Sequence, residues 1–331
     1  MKPRLKMVLL LLFLPPMLGE LLSGSSPPLS FFSGGIIFLV LLYGCGTLLI
    51  REAKARWNLQ WSVIFLAVAY GIIEEGTMVQ SFFNVNHPDL GILSGYGMYL
   101  GVQWPWSIAL TVYHATVSTL IPIVIVEYLY PGYKGISLLK KRGTALCLAG
   151  FIFVILFWLV VGVFLKAIPI YNDYHFSYTV NGITLLTVAV LIWLAYRFKT
   201  SRILSKTRVL SPFTFGFVGF WIMVINLFVP NMLAGMQVSG GIIILFQVIW
   251  VTLLLLFLIY QVYNENTTKR HIVSIVCGFL LFLIVLTPLH EFGMAENPDP
   301  TTGMLAVGVI ALILLFIWRR LVLRVEKESY A

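Results

Sequence analysis

The chain has little charge. Asp, Glu, Lys and Arg together make up 11% of its 331 residues, under half of the roughly 25% usual in soluble domains. A fold exposed to water on all sides is therefore excluded. Cysteine is scarce too: Cys45, Cys147 and Cys277 each stand alone in a different apolar stretch, which leaves no CxxC metal motif and no disulfide framework. The sequence contains no GxxxxGK[ST], GxSxG or HExxH pattern, so ATP hydrolysis, serine-esterase chemistry and zincin chemistry have no foothold. Connections between apolar runs never exceed about 25 residues, too few for a separate soluble domain. Acidic residues number 13 against 22 basic ones, a formal charge of +9. That excess does not signal nucleic acid, because of where the basic residues lie.

Hydrophobic residues are abundant, at 60%. They gather into ten runs, at 5–22, 31–50, 59–80, 104–130, 144–168, 179–198, 211–232, 240–263, 271–291 and 303–323, each near the ~20 residues that a spanning helix needs. The fold expected is all-α: a single integral membrane domain over 1–331, a polytopic bundle of about ten transmembrane helices. Alternating the loops puts 21 of the 22 Lys and Arg residues on one side. Only Lys166 falls opposite, with Asp89, Asp173, Glu296 and Asp299, so the positive-inside rule makes both termini cytoplasmic. The localisation expected is the cell membrane. MKPRLK followed by an apolar run also has the outline of a signal peptide, against which Pro15, Pro16 and Glu20 weigh. The 81–103 connection is moderately apolar and glycine-rich and reads as re-entrant or interfacial.

The third run, WSVIFLAVAYGIIEEGTMVQ, carries Glu74 and Glu75 inside it. A carboxylate at a helix centre costs roughly 2.5–3.5 kcal/mol on insertion scales, so an adjacent pair is functional by default. At 1.5 Å per residue the pair lies about 8 Å past the midplane, in the outer half. Ala67, Gly71, Glu74, Glu75 and Met78 recur at helical spacing, which puts the acids on a face with small residues that pack against protein. On the next run Ser107, Thr111, His114 and Ser118 form one polar stripe. Two polar faces at overlapping depth on consecutive helices are expected to meet, with Glu74, Glu75 and His114 as catalytic or ion-coupling residues. Ser107, Thr111, Ser118 and Gly71 line that site. Adjacent carboxylates in low dielectric do not both ionise cheaply, which suits a proton relay, a cation site or a general base. Glu20, His290 and Glu291, near outer helix ends, read as a rim. No metal site is expected from ligand motifs, and no cofactor is indicated.

An intramembrane Glu-Glu on one helix and a His on the next resembles the CPBP family of membrane endopeptidases, which includes CAAX prenyl proteases and bacteriocin-processing or immunity proteins. The resemblance covers residues 74–114. It implies that one of Glu74 and Glu75 activates a water and that His114 is the second motif's histidine. Val79 stands where that family's first motif has Arg, and Leu110 where its second has Phe.

Three functions suit these residues. A proton- or cation-coupled carrier of small solutes ranks first, on size, compactness and the lack of other domains. An intramembrane hydrolase with Glu75 as base and His114 as partner comes next, followed by a non-catalytic sensor, immunity or scaffold protein. The partners expected are the lipid bilayer and a proton, cation or small solute, with no nucleic acid.

Overall fold

A computed structural model describes residues 2–293 and 299–328; Glu296, assigned above to the outer side, lies outside them. Among the described residues, ten helices follow the ten apolar runs. Helix α1 is Pro3–Pro16, continued by a wide π-helical turn at Met17–Leu21. Then come α2 (Ile36–Arg56), α3 (Val63–Gly71, continued at Ile72–Met78) and α4 (Trp104–Leu129). After these come α5 (Lys141–Phe164), α6 (Tyr178–Arg197), α7 (Pro212–Gly235), α8 (Gly240–Val262), α9 (Lys269–Glu291) and α10 (Met304–Arg324). Eight of these, α2 and α4 to α10, are long and apolar enough to cross a membrane. The count of ten is thus supported for eight. α1 carries Arg4, Lys6 and Glu20 in a short helix, and α3 is only 16 residues long.

α4 holds the bundle together. Its Tyr113, Val117, Ile121 and Ile125 belong to one packed core with α7, α9 and α10, while Ile123 and Val126 belong to another with α1, α2, α3 and α5. Its apolar stretch is 61% buried against 11% for α8, so α4 is central and α8 peripheral. Small residues set the closest crossings, as they do where hydrocarbon surrounds a bundle and helices gain from dispersion contacts at short range. A Cβ on Gly278 would sit 2.0 Å from the Gly216 carbonyl oxygen, so α7 and α9 touch backbone to backbone. Gly44 does the same for α1 and α2, where an added Cβ would lie 2.2 Å from the Leu12 carbonyl oxygen.

The 81–103 connection is irregular. It has a 3-10 segment at Pro88–Leu93 and a two-stranded antiparallel hairpin pairing Met98 with Gln103 and Tyr99 with Val102. Its start is fixed by Gln80, which adopts φ 60°, a left-handed conformation uncommon for any residue but glycine. The side chain supports the turn by donating to the carbonyls of Gly76 and Thr77 at 2.8 and 2.7 Å and to Asn181 Oδ1 at 2.8 Å. Those bonds satisfy carbonyls that the end of α3 leaves open and aim the next residue, Ser81, back at the helix.

Candidate functional site

The two polar faces meet. His114 Nε2 lies 3.1 Å from Glu75 Oε1, and Nδ1 lies 3.0 Å from Glu74 Oε2. Both acids reach one imidazole because they sit in the wide turn of α3, and His114 opens another such turn on α4 at His114–Leu120. A π-helical turn spreads the chain over more residues than an α turn, so neighbours in sequence point in more similar directions. Such bulges are frequent at functional sites. Gly71 makes the approach possible: a Cβ there would come within 3.2 Å of the His114 Cβ.

All three side chains are buried, with exposures of 2% for Glu74, 9% for Glu75 and 3% for His114. Glu75 is held from both ends, since Oε1 faces His114 and Oε2 accepts from the Ser81 hydroxyl, which in turn receives the Trp106 indole N–H at 3.0 Å. His114 Nδ1 also lies 3.1 Å from Ser118 Oγ. The approach of Glu74 to Nδ1 is close but not aligned for a hydrogen bond, so Glu74 Oε2 is buried without a donor. Among the described residues no Lys or Arg pairs with either acid. Even with a fully protonated imidazole, two ionised carboxylates leave the triad with excess negative charge. One ligand atom from each of the three residues fits within a 4.8 Å cluster, so a cation as well as a proton fits the donor set, Glu, Glu and His being oxygen and nitrogen ligands suited to borderline divalent metals.

The stripe on α4 divides. Ser118 joins the triad, and its backbone carbonyl accepts from Thr47 of α2 at 2.8 Å. Ser107 donates to the Gln103 carbonyl at 2.8 Å, and with Thr111 it borders a cavity of about 890 Å³ lined mainly by apolar residues of α3, α4, α6, α8 and α9. Helical spacing puts these four residues on one line; in the structure Ser118 bonds His114, and Ser107 and Thr111 border the cavity.

Of the residues read as a rim, Glu20 stands closer to the triad than its position suggested. Its carboxylate accepts from Tyr43 of α2 and from Ser26 at 2.7 Å, and Tyr43 packs against His114 with ring centroids 6.1 Å apart. His290 lies over Gly24, and its carbonyl accepts from Thr301 at 2.8 Å. Glu291 accepts the Leu305 N–H at 3.1 Å. These two bonds tie the end of α9 to the start of α10, away from the triad. Sequence reading missed Tyr43, Ser81 and Trp106. Nothing in an apolar run marks a tyrosine as a site residue, and Ser81 reaches Glu75 only because of the turn at Gln80.

No family model, curated protein or solved structure matches the chain.

Proposed function

We propose that the protein is a multi-pass carrier of the cell membrane that moves a small solute coupled to a proton or cation held by Glu74, Glu75 and His114. The observation that carries this reading is the charge imbalance of the buried triad. A carboxylate pair on one imidazole, with no Lys or Arg partner among the described residues and one oxygen left without a donor, is stable in a low-dielectric interior only when it holds an extra positive charge. A site of that kind changes charge as it loads and unloads, which is what coupling requires. In this reading all ten helices span, α1 and the short α3 being shielded by their neighbours, and both termini lie with the basic loops on the cytoplasmic side.

Proteoliposomes test it. The expected result is pH-sensitive solute flux that disappears in Glu75→Gln; flux that persists unchanged in that variant sinks the proposal. Topology is tested by cysteine substitutions: positions 25, 89 and 173 react with an impermeant thiol reagent from outside, and positions 54, 140 and 206 do not. Labelling of position 140 from outside overturns the arrangement.

A second reading, an endopeptidase similar to the CPBP family, is favoured by the large apolar cavity beside α3 and α4, which suits a lipid-modified or hydrophobic peptide, and by the imidazole 3.1 Å from a carboxylate. It requires cleavage of such peptides that is lost in both Glu75→Gln and His114→Ala. Silence in both assays leaves the sensor, immunity or scaffold class.

A further inference from the structure

We propose that the apolar cavity bordered by α3, α4, α6, α8 and α9 is a binding site for an anionic glycerophospholipid of the bilayer, with its acyl chains in the cavity and its phosphate at Lys54, Lys134 and Lys269. The inference goes beyond the carrier reading and does not depend on what Glu74, Glu75 and His114 hold.

The cavity lies where the two packed cores part. Val63 and Leu66 of α3 and Ala195 of α6 belong to one core, whereas Leu254 and Phe257 of α8 pack on the other with Val276 and Phe279 of α9. α4 joins the two, and the space of about 890 Å³ follows it from Trp104 to Val124. At 1.5 Å per residue that stretch is about 30 Å, the thickness of bilayer hydrocarbon. One flank is open. Ile183 of α6 and Val248 and Leu255 of α8 line the cavity yet are 60%, 51% and 46% exposed, so the opening runs between two apolar helices, and an acyl chain enters it without crossing polar surface. The hydroxyls in the walls do not change this. Thr116, Thr184, Thr187 and Thr252 each donate to a carbonyl one turn back on their own helix, at 2.8, 2.9, 2.9 and 2.8 Å. A polar solute needs a few well-placed polar groups to orient it, and these are already spent, whereas a hydrocarbon chain needs only the apolar walls.

Charge marks one end of the cavity. Among the described residues its charged lining residues are Lys54 and Lys134. Lys134 Nζ lies 6.0 Å from the centre of the Tyr128 ring, and Lys269 Nζ lies 5.7 Å from the same centre, while Lys54 Nζ lies 2.5 Å from the neighbouring Glu127. Three ammonium groups therefore gather one turn past Val124, at the end of α4 that carries the basic loops. Glu127 is the carboxylate among them, and it is shared with Arg51 at 3.8 Å. Among the described residues no carboxylate pairs with Lys134 or Lys269. The opposite end is bordered by Phe82, Phe83, Leu100 and Trp104 and has no charge. A molecule with one anionic head and long apolar tails matches this polarity, and basic pockets between membrane helices take anionic headgroups in this way. A zwitterionic lipid matches the walls equally well but brings a cation of its own, which the lysines repel.

The experiment is native mass spectrometry of the full-length protein in detergent, with dioleoyl phosphatidylglycerol and dioleoyl phosphatidylcholine offered at equal concentration. A lysine near the membrane surface strengthens binding of an anionic lipid about fivefold. The parent is therefore expected to retain one phosphatidylglycerol about twenty-five-fold better than phosphatidylcholine, and Lys134→Gln combined with Lys269→Gln to bring the two lipids level. Val251→Trp fills the cavity from α8 and should lose both lipids, while soluble glycerol 3-phosphate should displace neither. Equal retention by the parent overturns the proposal, as does a preference that survives in the lysine variant. Undiminished retention in Val251→Trp overturns it too, because the lipid then sits on the loops outside the cavity, and displacement by glycerol 3-phosphate marks a free-phosphate site instead. If the lysine variant fails to fold, the parent decides: screening by salt should erase the preference, and its persistence at high salt overturns the proposal. A farnesylated peptide that displaces the bound phosphatidylglycerol mole for mole overturns it in favour of the endopeptidase reading. Loss of flux in Glu75→Gln tests the carrier reading separately, since that variant leaves the cavity and its lysines intact.

Discussion

Two buried ionic clusters lie along α2 and α4, one at the end that carries the basic loops and one in the opposite half, and they solve the same problem in different ways. At the inner end Arg51 is fully buried. It lies 3.1 Å from Glu52 and 3.8 Å from Glu127, and it donates to the backbone carbonyls of Ile136 and Tyr133 at 2.5 and 2.7 Å. Glu127 also takes Lys54 at 2.5 Å, and Glu52 accepts from Arg56, Ser137 and the Leu138 N–H at 3.3, 2.5 and 2.6 Å. Three cations face two anions, and the carboxylates are crowded with donors. In the other cluster Glu20, Glu74 and Glu75 gather around His114, and the buried His87 ring also bears on Glu75, with no Lys or Arg among the described residues paired to them. Desolvated charge is tolerated when it is paired and hydrogen-bonded, which describes the first cluster and not the second. The inner cluster locks the 130–140 loop onto the ends of α2 and α4. The outer one is left short of positive charge, which a lock does not need and an ion site does.

The largest effect expected from breaking this contrast is at Arg51. Arg51→Met removes the cation that Glu52 and Glu127 share and leaves two loop carbonyls without donors. Breaking a buried pair from one side costs about 3–5 kcal/mol, so the yield of folded protein and its thermal midpoint should both fall sharply. A midpoint within error of the parent would mean that the inner cluster does not hold the loop.

A smaller effect is expected at Gly71, where the two halves of the site touch. Gly71→Ala puts a Cβ 3.2 Å from the His114 Cβ and 3.3 Å from the Thr111 carbonyl oxygen, both on α4 and neither the free end of a flexible side chain. Overpacking of this kind costs roughly 1–3 kcal/mol. Because the strain falls on His114 itself, flux should drop more than stability does. Gly182→Ala, which meets open space on α6, is the control and should change neither.

How far the sequence reveals this arrangement depends on which forces act at each place. Hydropathy marks the helices, because spanning segments satisfy their backbone internally and surround it with apolar side chains. It marks α1 and α3 less well, since α1 carries Arg4, Lys6 and Glu20 and the helical part of the third run starts only at Val63. The meeting of Glu74, Glu75 and His114 is legible from depth and facing. The placing of Ser107 and Thr111 beside the cavity is not, because a helical stripe shows which residues share a face and not which neighbours that face meets. Glu127 is legible as the partner of inner-loop basic residues, and Lys54 and Arg51 are those residues. The burial of Arg51 is hidden, since composition reads it as one more topology-setting charge. Glu20 looks like a helix end by position and becomes part of the interior only through the Tyr43 hydroxyl, an interaction between residues 23 apart.

The smallest stability effect, and the sharpest test of the contrast, belongs to the glutamates of the site. Glu74→Gln and Glu75→Gln keep the shape of each side chain and remove one negative charge from a cluster that has too many. For a lock, removing one member of the pair exposes its partner and destabilises, as at Arg51. For a site with excess negative charge, the same change relieves like-charge repulsion and lowers the cost of burial, while the amide oxygen still accepts a hydrogen bond and its NH2 can donate to a neighbouring oxygen. The thermal midpoints of both variants should therefore equal or exceed that of the parent, even though Glu75→Gln abolishes coupled flux. Glu75→Gln should show the smaller gain, because its Oε2 already receives the Ser81 hydroxyl and Glu74 Oε2 receives nothing. A large fall in both midpoints would place this cluster in the same class as the one around Arg51, a structural network at a different depth, and would remove the charge argument on which the carrier reading stands.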